Sequence, residues 1–196
     1  MKVVLIKSIN NNYNSIINSL NRIGIKPIIT NNKKKINESD KIIIFSLYNI
    51  KNILKIIKKN KLKNIIYNLK QPVLAISNCF HILCYKYYKI KCLNIFKNII
   101  VKKIYDINNK KINNIGWNKV YHNNDNKIFF GIKKNFYLYF MDYNYVDIGA
   151  YCTSHINYII SYSSSLKRKN FYGIQFHPEI SSIYGEKILK NFINLK

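Results

Sequence analysis

A histidine and a glutamate, His177 and Glu179, follow the apolar segment 171–176 and are separated by one proline. In extended chain, residues two apart point to the same side. A carboxylate in that position holds an imidazole in one tautomer, and the imidazole can then act as a general base. A strand end with a polar rim is the simpler interpretation of this pair alone. Catalysis therefore requires a nucleophile elsewhere in the chain.

A second segment, residues 71–83, reads as a short buried strand, a sharp turn and the start of an apolar helix. A turn of this kind exposes a nucleophile at a helix N-terminus, where the helix dipole favours negative charge. Small flanking residues let the neighbouring backbone approach. The segment is therefore the place to search for the partner of His177.

The residues around His177 resemble the His-Pro-Glu segment of class I glutamine amidotransferases, which use a Cys-His-Glu triad. That family carries a turn of the form Pro-(apolar)2-Gly-x-Cys-x-Gly-x-Gln. Aligned on Pro72, the nucleophile position holds Ser77 and the glutamine position holds His81, and the two glycine positions hold Ala75 and Cys79. The resemblance implies the catalytic set Ser77, His177 and Glu179, and Cys79 is expected to point elsewhere.

Two further departures from the family pattern affect the expected glutamine pocket. The family's Pro-Gly-x-Gly segment, which supplies the oxyanion hole, corresponds to residues 45–48, so that Ser46 and Tyr48 replace glycines. Glycine permits the backbone flip that aims an N–H at the developing oxyanion. The family's His-Ser-Tyr reads here as Asp142-Tyr143-Asn144. By resemblance, the altered pocket residues are Ser46, Tyr48, His81 and Asp142.

A Gly-Trp-Asn motif at 116–118 is similar to one in the glutaminase subunit of imidazole glycerol phosphate synthase, and Asn12 and the segment 185–192 match the two ends of that subunit. An ordinary half-buried anchor is the alternative interpretation of Trp117. The resemblance implies docking on a (β/α)8 cyclase barrel through Asn12, Trp117 and Asn118. Ammonia from glutamine would pass through that barrel to an intermediate of histidine biosynthesis. No cofactor is implied.

The composition is dominated by residues with A/T-rich codons, and the chain has only 6 glycines and 3 prolines in 196 residues. This indicates a strongly A/T-biased genome and accounts for much of the net charge of +25. Lysine is spread along the whole chain, with modest clusters at 33–35 and 58–63, and no nucleic-acid motif accompanies it. The charge therefore favours a solvated basic surface over a nucleic-acid site.

The cysteines form no Cys-x-x-Cys pair and no metal spacing with the four histidines, so that no metal site is predicted. No apolar run approaches the ~18 residues needed to span a bilayer. The chain opens with an apolar segment that reads as a first strand rather than as a signal peptide. We expect a cytoplasmic protein with reduced thiols.

Apolar segments alternate with helical periodicities in the first half, and the second half is rich in β-type segments. Strands are predicted at 2–6, 26–29, 41–45 and 72–76. Further β-rich stretches lie near 99–104, 136–146, 156–162 and 171–176, and a helix ends the chain. Asn-rich segments at 10–14, 31–37 and 123–126 predict surface loops.

The predicted fold class is α/β. The chain should form an open, mostly parallel mixed sheet of the class I glutamine amidotransferase type, flanked by helices, with antiparallel additions in the second half. One domain is expected over 1–196.

Three functional hypotheses remain open. The first is a glutaminase with Ser77 as nucleophile, and the second is a docking subunit whose glutaminase chemistry is impaired or lost. The third is a basic nucleic-acid-binding module that reuses the fold.

Overall fold

The computed structural model describes residues 1–8, 12–47, 49–106, 108–123 and 126–195. Its first half alternates short strands with helices. The three inner strands are buried along their whole length because both of their faces are covered, whereas the edge strand at 28–30 is largely exposed. The elements are β1 (Val3–Ile6), α1 (Asn14–Arg22), β2 (Ile28–Thr30), α2 (Lys33–Asn37), β3 (Lys41–Phe45), α3 (Ile50–Lys59), α4 (Lys63–Asn68), β4 (Val73–Ile76) and α5 (Asn78–Ile82).

The second half consists mainly of strands and closes with a helix. The elements are β5 (Lys86–Tyr87), β6 (Ile90–Lys91), β7 (Ile100–Lys103), β8 (Asn114–His122), β9 (Asn135–Asp142), β10 (Asn144–Tyr145), β11 (Cys152–Asn157), β12 (Ser161–Arg168), β13 (Phe171–Ile174) and α6 (Ser182–Ile193), with 3-10 turns at Lys127–Phe129 and Pro178–Ile180.

Nine of these strands form one sheet in the order β2-β1-β3-β4-β13-β12-β11-β8-β9, and β10-β7-β5-β6 form a smaller sheet. The pairings from β2 to β13 are parallel, and those from β13 to β9 are antiparallel. The predicted α/β class with a large mixed sheet is confirmed. The antiparallel part supplies four of the eight pairings, a larger share than a mostly parallel sheet would have.

Alternation along the parallel strands divides the core between the two faces of the sheet. Val3 and Leu5 belong to one buried cluster, which includes side chains of α1 and α6. Val4 and Ile6 belong to the other, which includes side chains of α3, α4 and α5. The period of two in a strand and the helical coverage of both faces account for this division.

One local prediction was wrong. The Asn-rich segment 31–37 forms the helix α2, and the Asn32 side chain caps it by accepting a hydrogen bond from Lys35 N at 3.1 Å. The β-rich stretch predicted near 156–162 covers the end of β11 and the start of β12, with a bend at 158–160 between them. The other two Asn-rich segments, 10–14 and 123–126, fall partly outside the described residues.

The candidate site lies beyond the carboxyl ends of two neighbouring parallel strands. Ile76 of β4 is in register with Ile174 of β13, and the N–H of Ser77 continues the ladder to the Ile174 carbonyl at 2.8 Å. In open α/β sheets, sites form at this edge. No helix among the described residues is long and apolar enough to cross a bilayer.

Candidate active site

Ser77 occupies a strained turn between β4 and α5, with φ 54° and ψ −125°. A residue with a β-carbon rarely adopts positive φ, and such strain persists only where the surroundings impose it. Here the Ser77 N–H bonds to Ile174 O, and its carbonyl accepts from Phe80 N at 2.8 Å. The sharp turn predicted from the sequence is therefore present, with Ser77 at its apex.

Gly173 lets helix α5 pack closely against the sheet behind this turn. A β-carbon at Gly173 would lie 2.4 Å from Phe80 Cδ2, which is closer than any real contact. The side chain of Phe80 is fully buried. Glycine at position 173 thus sets the distance between the sheet and the helix that follows Ser77.

His177 and Glu179 form a buried pair. His177 Nδ1 lies 2.7 Å from Glu179 Oε1. With the carboxylate ionised, Nδ1–H donates to it, and Nε2 is the ring nitrogen left to accept a proton. This is the relationship that a His-Glu pair requires for general base chemistry.

Three contacts fix the segment that carries this pair. The N–H of His177 donates to Tyr139 O at 2.9 Å, and the hydroxyl of Ser181 donates to His177 O at 2.6 Å while accepting from Tyr139 N. A β-carbon at Gly185 of α6 would lie 2.0 Å from Pro178 O. The C-terminal helix and strand β9 therefore hold the His-Pro-Glu turn from two sides.

Tyr139, Ser181 and Gly185 were not identified from the sequence as supports of the site. Ser181 had a weak signal, because a serine shortly after His-Pro-Glu and just before a helix is a common cap. It does not cap α6 through its side chain, however, and bonds instead to the backbone of His177 and Tyr139.

His81 and Asp142, which replace a glutamine and a histidine of the family pattern, lie together in the interior. His81 Nε2 is 3.4 Å from Asp142 Oδ2, and both side chains are buried. The approach is within ion-pair range, but neither ring nitrogen of His81 has a hydrogen-bond partner in the part of the chain that the structure describes. Burial lowers the pKa of His81, and the nearby Asp142 only partly opposes this shift. His81 is consequently neutral at pH 7.

Both oxygens of the Asp142 carboxylate accept hydrogen bonds from the protein itself. Its Oδ1 accepts from the backbone N–H groups of Tyr143 and Asn144 and from the Asn144 amide at 2.7 Å. Its Oδ2 accepts from Gln175 Nε2 at 3.1 Å. The Tyr88 hydroxyl bonds in turn to Asn144 Oδ1. Gln175 and Tyr88 are members of this network that sequence reasoning missed, although a glutamine inside an apolar strand is itself a signal of a buried partner.

Of the two remaining residues of the expected pocket, the structure describes Ser46 but not Tyr48. Ser46 follows β3 and is buried. Tyr48 lies outside the described residues. Cys79 is fully buried, and its burial raises the pKa of the thiol, while a hydrogen bond with the Ser46 backbone opposes the rise weakly. A buried, protonated thiol is a poor nucleophile.

The expected interface residues occupy two places in the fold. Trp117 is half exposed on β8 and packs edge-on against Tyr139, which lies opposite it on β9, with ring centroids 5.8 Å apart. Asn118 bonds through Nδ2 to Asn114 Oδ1 at 2.7 Å. Asn12 is exposed beyond β1 and accepts from Asn14 N. Tyr139 thus links Trp117 to the backbone of His177.

Metal-binding side chains do not gather in the described part of the chain, where no group of three or more His, Cys, Asp or Glu is suitably placed. The polar groups of the candidate catalytic residues are the Ser77 hydroxyl, the His177 imidazole and the Glu179 carboxylate.

The chain belongs to the class I glutamine amidotransferase family. The family model described as Glutamine amidotransferase class-I matches residues 4–195. Individual relatives give a more specific comparison than the family model does. The imidazole glycerol phosphate synthase subunit HisH of Bacteroides thetaiotaomicron is 31% identical over 197 residues, with 100% of both chains covered. The subunit of the same name from Blochmanniella floridana is 32% identical over 198 residues, again with 100% of both covered. The family resemblance predicted from the sequence is confirmed.

Solved structures show the same fold at low sequence identity. A glutamine amidotransferase from Thermotoga maritima is 14% identical and has a TM-score of 0.65, with 99% of this chain and 83% of that chain covered. Another glutamine amidotransferase is 10% identical and has a TM-score of 0.72, with 97% of this chain and 96% of that chain covered.

Proposed function

We propose that this chain is the glutamine amidotransferase subunit of an imidazole glycerol phosphate synthase, that it acts in histidine biosynthesis, and that its own hydrolysis of glutamine is impaired or lost. It docks as a single cytoplasmic domain on a cyclase subunit and forms a heterodimer. Full-length similarity to subunits named HisH supports the assignment of the complex.

The hydrogen bonds that the protein makes to Asp142 are the main observation in support of impaired glutamine hydrolysis. By resemblance, Asp142 and His81 stand where the family binds glutamine. Asp142 accepts four hydrogen bonds from the protein, and His81 is fully buried. A carboxylate already engaged in this way has little capacity left for a substrate ammonium group. Asp142 is therefore held by donors of the protein itself rather than left open to a bound amino acid.

The oxyanion hole gives a second, independent reason. Ser46 replaces a glycine whose backbone flip would supply an N–H donor. The loss of one such donor costs about 2.7–4 kcal/mol of transition-state stabilisation in other enzymes. Ser77 also lacks the thiolate of the family's cysteine. A hydroxyl must lose its proton during attack, which makes the reaction more dependent on the base.

A serine-based glutaminase is the second candidate, and the strained turn favours it. The φ of 54° at Ser77 is the kind of strain that functional sites retain. In this mechanism Ser77 Oγ attacks the side-chain amide carbon of glutamine, and His177 takes the hydroxyl proton and gives it to the departing ammonia. Glu179 holds His177 in the required tautomer. Water then releases glutamate from the acyl-enzyme.

Glutamate release in the presence of the cyclase subunit and its ligand separates the two candidates. We expect no release above that of the Ser77→Ala and His177→Ala variants. Association with the cyclase subunit, followed by analytical ultracentrifugation, should be retained in all three proteins. Robust turnover by the unmodified chain, abolished in both variants, would establish the serine mechanism instead. Absence of any association would refute the docking assignment separately.

A further inference from the structure

A cavity of about 340 Å³ lies beyond the carboxyl ends of β1 and β2 and against helix α3, away from the candidate active site. It shares no lining residue with the candidate active site. Ligands of open α/β sheets bind at this edge, and the volume lies at the lower end of the range for small-molecule sites. The cavity is lined by Lys7, Ser8, Asn31, Ile56, Lys59 and Asn60.

Two oxygen atoms of lining residues, Ser8 Oγ and Asn31 Oδ1, are buried and have no hydrogen-bond partner among the described residues. Both residues are otherwise fixed in place. The N–H of Ser8 donates to the Tyr13 hydroxyl, and Asn31 Nδ2 donates to Lys7 O at 2.8 Å. Buried polar atoms are nearly always paired, because an unpaired one is unfavourable. Ser8 is more than nine-tenths buried, so that bulk solvent does not satisfy its hydroxyl.

The charges and acceptors around the cavity specify the chemistry of a ligand. Lys7 and Lys59 supply two ammonium groups, and no lining residue is acidic. The Asn31 oxygen can only accept, so it requires a donor such as an alcohol, whereas the Ser8 hydroxyl can donate or accept. Surface lysines are common on a chain with a net charge of +25 and would not by themselves define a site. The buried oxygens distinguish this cavity from the rest of the surface.

We propose that this cavity binds a small phosphate ester that carries free hydroxyl groups. The phosphate lies against Lys7 and Lys59, and the hydroxyls pair with Asn31 Oδ1 and Ser8 Oγ. The proposal does not depend on whether the chain hydrolyses glutamine, because none of these residues belongs to the candidate active site.

Titration calorimetry of the full chain tests it with ribose 5-phosphate, inorganic phosphate and ribose as separate probes. Ribose 5-phosphate should bind more tightly than inorganic phosphate, and ribose should not bind measurably. Lys59→Gln should raise the Kd for ribose 5-phosphate by about tenfold, as expected for a lost charge-assisted hydrogen bond. The matched variant Lys58→Gln removes the same charge from the neighbouring exposed residue, which does not line the cavity. It should change the Kd by less than about twofold.

Ser8→Ala provides the second test, read by thermal unfolding. Without ligand, the variant should unfold at a higher temperature than the unmodified chain, because it lacks the unpaired buried hydroxyl. With ribose 5-phosphate, its gain in melting temperature should be smaller than that of the unmodified chain. If Lys59→Gln and Lys58→Gln lost affinity for ribose 5-phosphate equally, the binding would be a non-specific attraction to a basic surface, and the proposal would be overturned. Equal affinities for ribose 5-phosphate and inorganic phosphate would overturn it as well, as would a Ser8→Ala variant that is less stable without ligand.

Discussion

His81 Nε2 lies 3.4 Å from Asp142 Oδ2 inside the protein, where neither side chain reaches solvent. The two residues come from helix α5 and from the end of strand β9, and by resemblance they stand at positions of the expected glutamine pocket. Because Asp142 also accepts hydrogen bonds from Asn144 and Gln175, it belongs to a buried polar network rather than to an isolated contact.

Asp142→Ala should lower the stability of the fold markedly. The substitution removes the acceptor of the Asn144 amide and of the backbone N–H groups of Tyr143 and Asn144, whereas Gln175 Nε2 keeps its second acceptor, Asn144 O. Each such donor costs about 1–3 kcal/mol. Urea unfolding should show a loss in this range or above it in the free energy of unfolding. Glu38→Ala removes an exposed carboxylate 4.0 Å from Lys34 and should cost less than about 0.5 kcal/mol. A loss for Asp142→Ala no larger than for this control would contradict the structural role of the network.

Stability should fall below pH 6.5 through His81. Its pKa in the folded protein is lower than the ordinary value of 6.5, because burial disfavours the charged ring. Between those two pKa values the unfolded chain binds more protons than the folded chain, so that the free energy of unfolding rises with pH. The slope from this one group is at most about 1.4 kcal/mol per pH unit.

Chemical unfolding at pH 7.5 and pH 5.5 measures this effect. The loss of stability on acidification should be smaller in His81→Gln than in the unmodified chain, since the glutamine cannot take up a proton. His155→Gln, on strand β11, serves as the control and should keep the full loss. An equal pH dependence in all three proteins would remove His81 as the cause.

Sequence reasoning located the parallel half of the fold and the sharp turn at Ser77 because each depends on local patterns. The third strand was predicted at 41–45 and is observed there, and the turn at Ser77 follows from apolar residues that give way abruptly to a helix. The family resemblance, rather than periodicity, placed Ser77 and His81 in their roles.

The contacts that hold the site together were not predictable in this way. The pairing of His81 with Asp142 joins segments far apart in the chain, and a single sequence carries no signal for such a contact. Helix α2 was missed because asparagine disfavours helix interiors, whereas here Asn32 serves as the cap that starts the helix. Strand β8 was noticed only for its Gly-Trp-Asn motif, since its exposed Ile115 and Trp117 obscure the alternation expected of a half-buried strand.

Gly185→Ala should disturb the His-Pro-Glu turn from outside the site. The added methyl group would lie 2.0 Å from Pro178 O, so that helix α6 or the turn must move. Forced overpacking of this kind costs about 1–3 kcal/mol. Gly149→Ala is the matched control, because a β-carbon there meets nothing within 4 Å. The melting temperature should fall in Gly185→Ala and stay unchanged in Gly149→Ala. A Gly185→Ala protein as stable as the control would show that the close contact with Pro178 is easily relieved.

Trp117→Ala should weaken association with the cyclase subunit. Trp117 is about half exposed, and it packs on Tyr139, whose carbonyl accepts from His177 N. A large exposed aromatic residue linked to the site is suited to anchor a partner. We expect the Kd to rise by at least about tenfold in an ultracentrifuge titration. Tyr67→Ala removes an exposed aromatic residue from helix α4 and should leave the Kd unchanged. An unchanged Kd for Trp117→Ala would exclude Trp117 from the interface.

Restoring the cysteine alone should not restore glutamine hydrolysis. Ser77→Cys supplies a better nucleophile on the strained turn, but the oxyanion segment still carries Ser46 and Tyr48 in place of glycines, and His81 and Asp142 still occupy the glutamine positions. Each defect acts on a different part of the transition state. Glutamate release by Ser77→Cys, with the cyclase subunit and its ligand present, should therefore stay near background.

The triple variant Ser77→Cys, Ser46→Gly, Tyr48→Gly should release more glutamate than Ser77→Cys, because it regains a backbone able to present an N–H to the oxyanion. A triple variant that also carries His177→Ala is the matched control and should return to background, since the base is then missing. High activity from Ser77→Cys alone would show that the nucleophile is the only defect. In that case the buried network of His81 and Asp142 would have to be compatible with glutamine binding, and its four internal hydrogen bonds to the carboxylate would have to rearrange when the substrate enters.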